Sequence, residues 1–244
     1  MLELPARWGE PLAALADVDA ELAAGARTDI VLLPEAALTG YVSPGGDADL
    51  RAFAEPHDGP VAARAAQVAV ARGVTLVAPM IVREEGSFFN AMVAFAADGT
   101  RVFSYAKRHP WTPETWATAG PAPAPVVRIG GHAVTTCICF DIHFVSHDAA
   151  AALDASDVLL FPSAWVDDGP DDLRADILPR LARRHRITIV NANWGPGAVR
   201  IPGQGGSRVI AADGRALLRT ETSWSSPARI VRADVTLELP ARAL

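Results

Sequence analysis

Five short apolar runs punctuate the chain: residues 29–34 (DIVLLP), 74–80 (VTLVAPM), 133–140 (AVTTCICF), 157–162 (DVLLFP) and 187–193 (ITIVNAN). They are rich in Val, Ile and Leu and bounded by Gly, Pro or Asp, which predicts strands covered on at least one face. Residues 11–24 and 60–72 each open on Pro and stop before Gly, the expected punctuation of a helix. Residues 171–186 place Asp171, Asp172 and Asp176 early and Arg183, Arg184 and Arg186 late. That gradient complements a helix macrodipole, with Pro179 expected to kink or split the helix, and the charges themselves read as solvated helix ends. Hairpins are expected from 88–95 with 101–106, from 126–129 with 133–140 around Gly130-Gly131, and from 207–211 with 216–220 around Asp213-Gly214. Strand–helix alternation mixed with hairpins predicts an α/β fold of packed sheets with helices outside. Residues 29–38 (DIVLLPEAAL) and 157–166 (DVLLFPSAWV) echo one another, as in a fold of two similar halves. Residues 120–125 (GPAPAP) read as a stiff approach to a strand.

Composition narrows the class. The 244 residues are 50% hydrophobic and 20% charged, the profile of a globular chain, expected to form one domain over 1–244. With 22 Lys+Arg against 28 Asp+Glu there is no global positive field, so nucleic acid is not an expected partner. No apolar run approaches the ~18–20 residues of a membrane span, and residues 1–25 lack the apolar centre of a signal peptide. A cytoplasmic location without membrane association is therefore expected. The only two cysteines, Cys137 and Cys139, are separated by one residue, so no disulfide framework is expected.

Ligands of α/β folds gather at the carboxyl ends of strands, which singles out Glu35, Lys107 and Cys139. Glu35 is a loop or helix-start carboxylate, or a general base in apolar surroundings. Lys107 is a surface lysine beside Arg108, or an ammonium that stabilises a thiolate and an oxyanion. Cys137 and Cys139 share one face of their expected strand. Cys139, nearer its end, is the one to emerge into a site, and Cys137 is assigned to the core. A zinc site from His132, Cys137, Cys139, His143 and His147 competes, although Cys-x-Cys departs from the usual spacing of structural zinc sites. No GxxxxGK[ST] phosphate loop or GxSxG elbow is present.

The segments LPEAALTGY with Glu35, YAKRHPWTPE with Lys107 and CFDIHF with Cys139, followed by DVLLFPSAW, VNANWG and GGSRVIAADG, together resemble the nitrilase superfamily of carbon–nitrogen hydrolases. The resemblance spans about residues 10–236. It implies a four-layer α-β-β-α sandwich, a Glu35–Lys107–Cys139 triad, and Glu114 orienting Lys107 and the substrate. It further implies an oxyanion held by Lys107 and the Phe140 backbone N–H, no metal or organic cofactor, and assembly into homodimers or larger homo-oligomers. The expected reaction is hydrolysis of a small linear amide through a cysteine thioester. N-carbamoyl-amide and nitrile hydrolysis are alternatives within the family, and a non-catalytic binding or scaffold role is one outside it. CFDI-x-F followed by FPSAW is similar to the biotinidase and pantetheinase branch, and Lys-x-x-Pro-Trp-x-Pro to aliphatic amidases. His143 departs from the common family residue after the nucleophile, and residues 1–5 are shorter than the family's first strand. Trp111, Trp116, Trp165 and Trp194 are candidate pocket walls, and Arg108, His109, His143 and Asn193 candidate substrate contacts.

Overall fold

A computed structural model describes residues 1–5, 7–167 and 172–237, so the expected helix start at Asp171 lies outside the described residues. Near the chain start, β1 (Leu2–Glu3) pairs antiparallel with the late strand β12 (Val231–Arg232). Helix α1 (Pro11–Ala24) leads to β2 (Ile30–Leu32), and α2 (Pro60–Arg72) to β3 (Thr75–Glu84). Gly73 closes α2 at φ 62°, the left-handed region that glycine enters without a Cβ clash. With β4 (Ser87–Phe95) and β5 (Arg101–Ala106), these strands make a four-stranded sheet in the order β2-β3-β4-β5.

The second sheet holds β6 (Val127–Ile129), β7 (His132–Thr136), β8 (Val158–Ser163), β9 (Thr188–Asn193), β10 (Arg208–Ile210) and β11 (Ala216–Arg219). Its order is β11-β10-β9-β8-β7-β6, with the central β7, β8 and β9 parallel. Short helices α3 (Val145–Asp148) and α4 (Ala150–Asp154) and the longer α5 (Arg174–His185) connect β7, β8 and β9.

The runs are mostly apolar because their strands are buried on both faces, and the polar residues within them, such as Thr135, Thr136 and Asn191, are buried as well. Leu76, Ala78 and Met80 of β3 and Ala91 and Val93 of β4 pack against Leu15, Val18, Ala65 and Val68 of α1 and α2. The alternating residues Val77, Met92 and Ala94 turn the other way and meet Val134, Leu160 and Val209 of the second sheet. Leu153 of α4 and Leu178, Leu181 and Ala182 of α5 extend that core outward. The layers are therefore helix, sheet, sheet, helix: an α-β-β-α sandwich.

Two local expectations are corrected. Pro179 does not split α5, which runs unbroken from Arg174 to His185; the buried Leu178, Leu181 and Ala182 around the proline hold it in place by tertiary packing. The strand expected over 133–140 ends at Thr136, because Cys139–His143 winds into a 3-10 turn. Cys137 and Cys139 therefore do not share a strand face.

Helices α1 and α2 are clamped by Asp19, whose two oxygens meet Arg64 at 2.7 Å and Arg72 at 2.6 Å. Burial pushes the Asp19 carboxyl up, but Arg72 and Arg64 outweigh it and hold the carboxyl below its usual range. A carboxyl lowered by folding contributes stability above its unfolded pKa and loses it as pH falls through the folded value. Asp19→Asn is expected to lower the urea midpoint modestly at neutral pH, by under about 1 kcal/mol after solvent screening. The difference from the parent should vanish in urea titrations at progressively more acidic pH.

Candidate active site

The polar residues of the site stand at the ends or on the inner face of the strands just described. β2 ends at Leu32; Leu33 still donates to Val77 O at 3.0 Å, Pro34 has no N–H to continue the ladder, and Glu35 follows. Ala36 then takes φ 49°, a turn rare for a residue with a Cβ. Lys107 sits one residue past β5, its N–H donating to Asn90 O at 2.8 Å and its carbonyl accepting from Gly120 N at 2.8 Å. A Cβ on Gly120 would lie 2.2 Å from Ala106 O, so only glycine allows this approach. Cys139 opens the 3-10 turn at φ 43°, a strained position of the kind that concentrates at functional sites.

Glu35, Lys107 and Glu114 meet in the interior. Lys107 Nζ lies 2.6 Å from Glu35 Oε1 and 2.5 Å from Glu114 Oε2, and the three residues are only 1–3% exposed. Burial pushes the lysine pKa down, but the charges of Glu35 and Glu114 reverse this and hold it above its ordinary value. Burial and the Glu35 charge push the Glu114 carboxyl up against the pull of Lys107. Further donors serve both carboxylates. Asn90 Nδ2 reaches Glu35 Oε1 at 2.8 Å and Glu114 Oε1 at 2.5 Å, Ala164 N reaches Glu35 Oε2 at 2.9 Å, and Trp111 N reaches Glu114 Oε2 at 2.7 Å.

Cys139 lies in the field of this group. Burial and the Glu35 charge raise its thiol pKa well above normal, against the opposing pull of Lys107 and of a hydrogen bond from Ala164 N–H. At neutral pH Cys139 therefore rests as a thiol, and ionising it takes an acceptor for its proton. Asp141 holds the turn. Its Oδ2 accepts from Ile138 N at 3.1 Å and Tyr105 OH at 2.9 Å, and its Oδ1 accepts from His109 N at 2.9 Å. Tyr41 is also near: burial first, then the charges of Glu35, Glu114 and Cys139, raise its phenol pKa.

The structure brings Glu35, Lys107, Glu114 and Cys139 together but not every substrate contact expected from the sequence. His109 is spoken for: its Nδ1 lies 3.0 Å from Asp141 and its Nε2 3.1 Å from Asp148, with the ring stacked on Phe144. Asn193 is likewise saturated, accepting from Ser163 Oγ and Trp165 N and donating to Gly203 O and Gly205 O. Both side chains thus act as tethers between separate segments of the chain. Trp165 is buried, its Nε1 donating to Asp167, while His143 remains exposed with its ring 5.8 Å away. Trp116 and Trp194 line an aromatic cluster with Tyr41, and Trp111 packs at its edge. Among the described residues no three His, Cys, Asp or Glu side chains converge in a way that could hold a metal ion. Asn90, Asp141 and Tyr41 were not singled out from sequence, although an Asn within the apolar FFNAMVAF run signals a buried amide that needs partners.

The sequence profile described as "Carbon-nitrogen hydrolase" matches residues 8–240. The chain belongs to that family. A relative of this chain, the "Hydrolase in pqqF 5'region" of Pseudomonas protegens, is 32% identical over 190 residues, covering 76% of this chain and 65% of the relative. The chain thus aligns with just under two thirds of that protein's length. Among solved structures, a CN-hydrolase superfamily protein of Xanthomonas campestris with an arsenic adduct in its active site superposes with TM-score 0.77 at 21% identity, covering 95% of this chain and 87% of that one. An amidase from Nesterenkonia sp. superposes with TM-score 0.78 at 23% identity, covering 94% and 86%. These likenesses show the sandwich fold.

The two thiols are expected to separate on iodoacetamide labelling with peptide mass mapping. Cys139, 8% exposed, should react before Cys137, 1% exposed, and its rate should rise toward alkaline pH as the thiol ionises. Equal, pH-independent labelling would contradict the environment described.

Proposed function

We propose that the chain, as one carbon–nitrogen hydrolase domain, hydrolyses the C–N bond of a small linear amide through a thioester on Cys139. The observation that carries this reading is the buried Lys107 ammonium held between Glu35 and Glu114, with the Cys139 thiol in the field of all three. Glu35 takes the thiol proton, and the sulfur electron pair attacks the amide carbon as the carbonyl π pair moves onto oxygen. Lys107 and the Phe140 N–H, which has no acceptor among the described residues, stabilise that oxyanion. Protonated Glu35 gives its proton to the leaving nitrogen, the C–N bond breaks, and an acyl thioester remains. Glu35 then deprotonates a water, which displaces Cys139 and releases the acid. Glu114 keeps Lys107 in place through its 2.5 Å contact. The near-complete burial of Cys139 and the aromatic wall of Tyr41, Trp116 and Trp194 favour a small substrate. The amidase neighbours are consistent with amide chemistry, and one Nesterenkonia variant carries acrylamide added at its active-site cysteine.

A panel of short amides, N-carbamoyl amides and nitriles assayed for ammonia or amine release tests the substrate class. Amides are expected to turn over fastest, and turnover of nitriles alone would overturn the amide assignment. Cys139→Ala is expected to lose activity at least about 1000-fold, and Glu35→Gln about 100- to 10,000-fold. Intact-mass spectrometry of the parent, acid-quenched during turnover, should show one acyl group that is absent from Cys139→Ala. Undiminished turnover in both variants would sink the mechanism.

A further inference from the structure

We propose that Asn90 is a positioning residue that makes Glu35 a one-sided base, so that the Cys139 proton moves to Oε2 and not to Oε1. The inference rests on the mechanism above and adds to it which oxygen carries the proton and what selects it.

A carboxylate has about four acceptor sites, two on each oxygen. Glu35 Oε1 already receives two donors, Lys107 Nζ at 2.6 Å and Asn90 Nδ2 at 2.8 Å. Oε2 receives one, Ala164 N at 2.9 Å, and retains a free site. The Ala164 N–H that serves Oε2 also counters the rise of the Cys139 thiol pKa, so one main-chain group acts on both the open oxygen and the thiol. Glu114 is bound differently: Lys107 and Trp111 share its Oε2, and Asn90 takes its Oε1. Each carboxylate thus receives three donors, but only on Glu35 do Lys107 and Asn90 converge on one oxygen.

The orientation of the amide follows from its neighbours. Turning Asn90 over would aim its oxygen at two carboxylates, so Nδ2 faces them. Its Oδ1 is then buried with no donor among the described residues. A buried unpaired acceptor is unfavourable, and the two donations from Nδ2 to the carboxylates offset it. The Asn90 main-chain carbonyl also receives the Lys107 N–H at 2.8 Å, so one residue fixes the backbone of the lysine and the side chain of the base.

The proton path is closed on this geometry. The Sγ–H bond breaks and an O–H bond forms on Oε2, while Oε1 stays bonded to Lys107 and Asn90. The proton later leaves Oε2 for the departing nitrogen, and Oε2 accepts the next proton from water. Without the Asn90 donor, Oε1 becomes a competing site from which the proton cannot reach the leaving group.

Asn90→Leu, of similar volume without a donor, tests this, with Asn90→Ser as a smaller variant that keeps a hydroxyl donor should the leucine variant fail to fold. Folding is checked by circular dichroism, and kcat and KM are measured against pH on the best amide of the panel. Expected for Asn90→Leu is a fall in kcat of about 10- to 100-fold with KM within about twofold, and an acid limb of the profile displaced to higher pH because an anion has lost a donor. Asn90→Ser is expected to fall between the leucine variant and the parent on both measures. Parent-like kcat and acid limb in either folded variant, or a change confined to KM, would overturn the role of Asn90 while inactive Glu35→Gln and Cys139→Ala leave the triad standing. Activity retained in those two variants would instead overturn the mechanism on which it rests.

Discussion

One ammonium between two carboxylates, all withdrawn from water, is the constraint that organises the site. Two carboxylates and one lysine leave an excess negative charge in a medium where an unpaired charge is costly by several kcal/mol. That excess is why N–H donors ring the group: the Asn90 amide and the main-chain N–H groups of Ala164 and Trp111 supply the remaining stabilisation. Burial first, and then this excess charge, keep Cys139 protonated, since a thiolate would add another negative charge.

The sandwich exists in the same place as the chemistry. Glu35, Asn90 and Lys107 come from the four-stranded sheet, while Cys139 and Ala164 follow strands of the other one. The echo between residues 29–38 and 157–166 becomes physical here. Glu35 follows the first copy and accepts from Ala164 in the second, so the two similar strand ends meet across the sheets. Core substitutions that change sheet separation act on the distance between Glu35 and Cys139 as well as on stability.

The layer order and most strands were legible in the sequence because strands covered on both faces must be apolar throughout. Helix ends at Gly25 and Gly73 were legible through local backbone chemistry. Cys139 was legible as the cysteine nearer the strand end but not as the start of a turn, because apolarity persists through Ile138, Phe140 and Ile142 while the backbone leaves the sheet. His109 and Asn193 drew attention as polar residues beside motifs, yet what such residues touch is set by distant chain: Asp148 for one, Gly203 and Gly205 for the other. Asn90 lay hidden for the opposite reason, a single amide in a strand whose neighbours read as core.

The buried thiol carries a consequence for survival of the protein between encounters with substrate. Attack by peroxide follows thiolate character and access, and leads from sulfenic acid to forms that do not revert. Cys139 at rest offers little of either, being protonated and 8% exposed. The thiol is therefore sheltered from oxidative wear, with a buried neighbour, Cys137, whose pKa burial likewise raises.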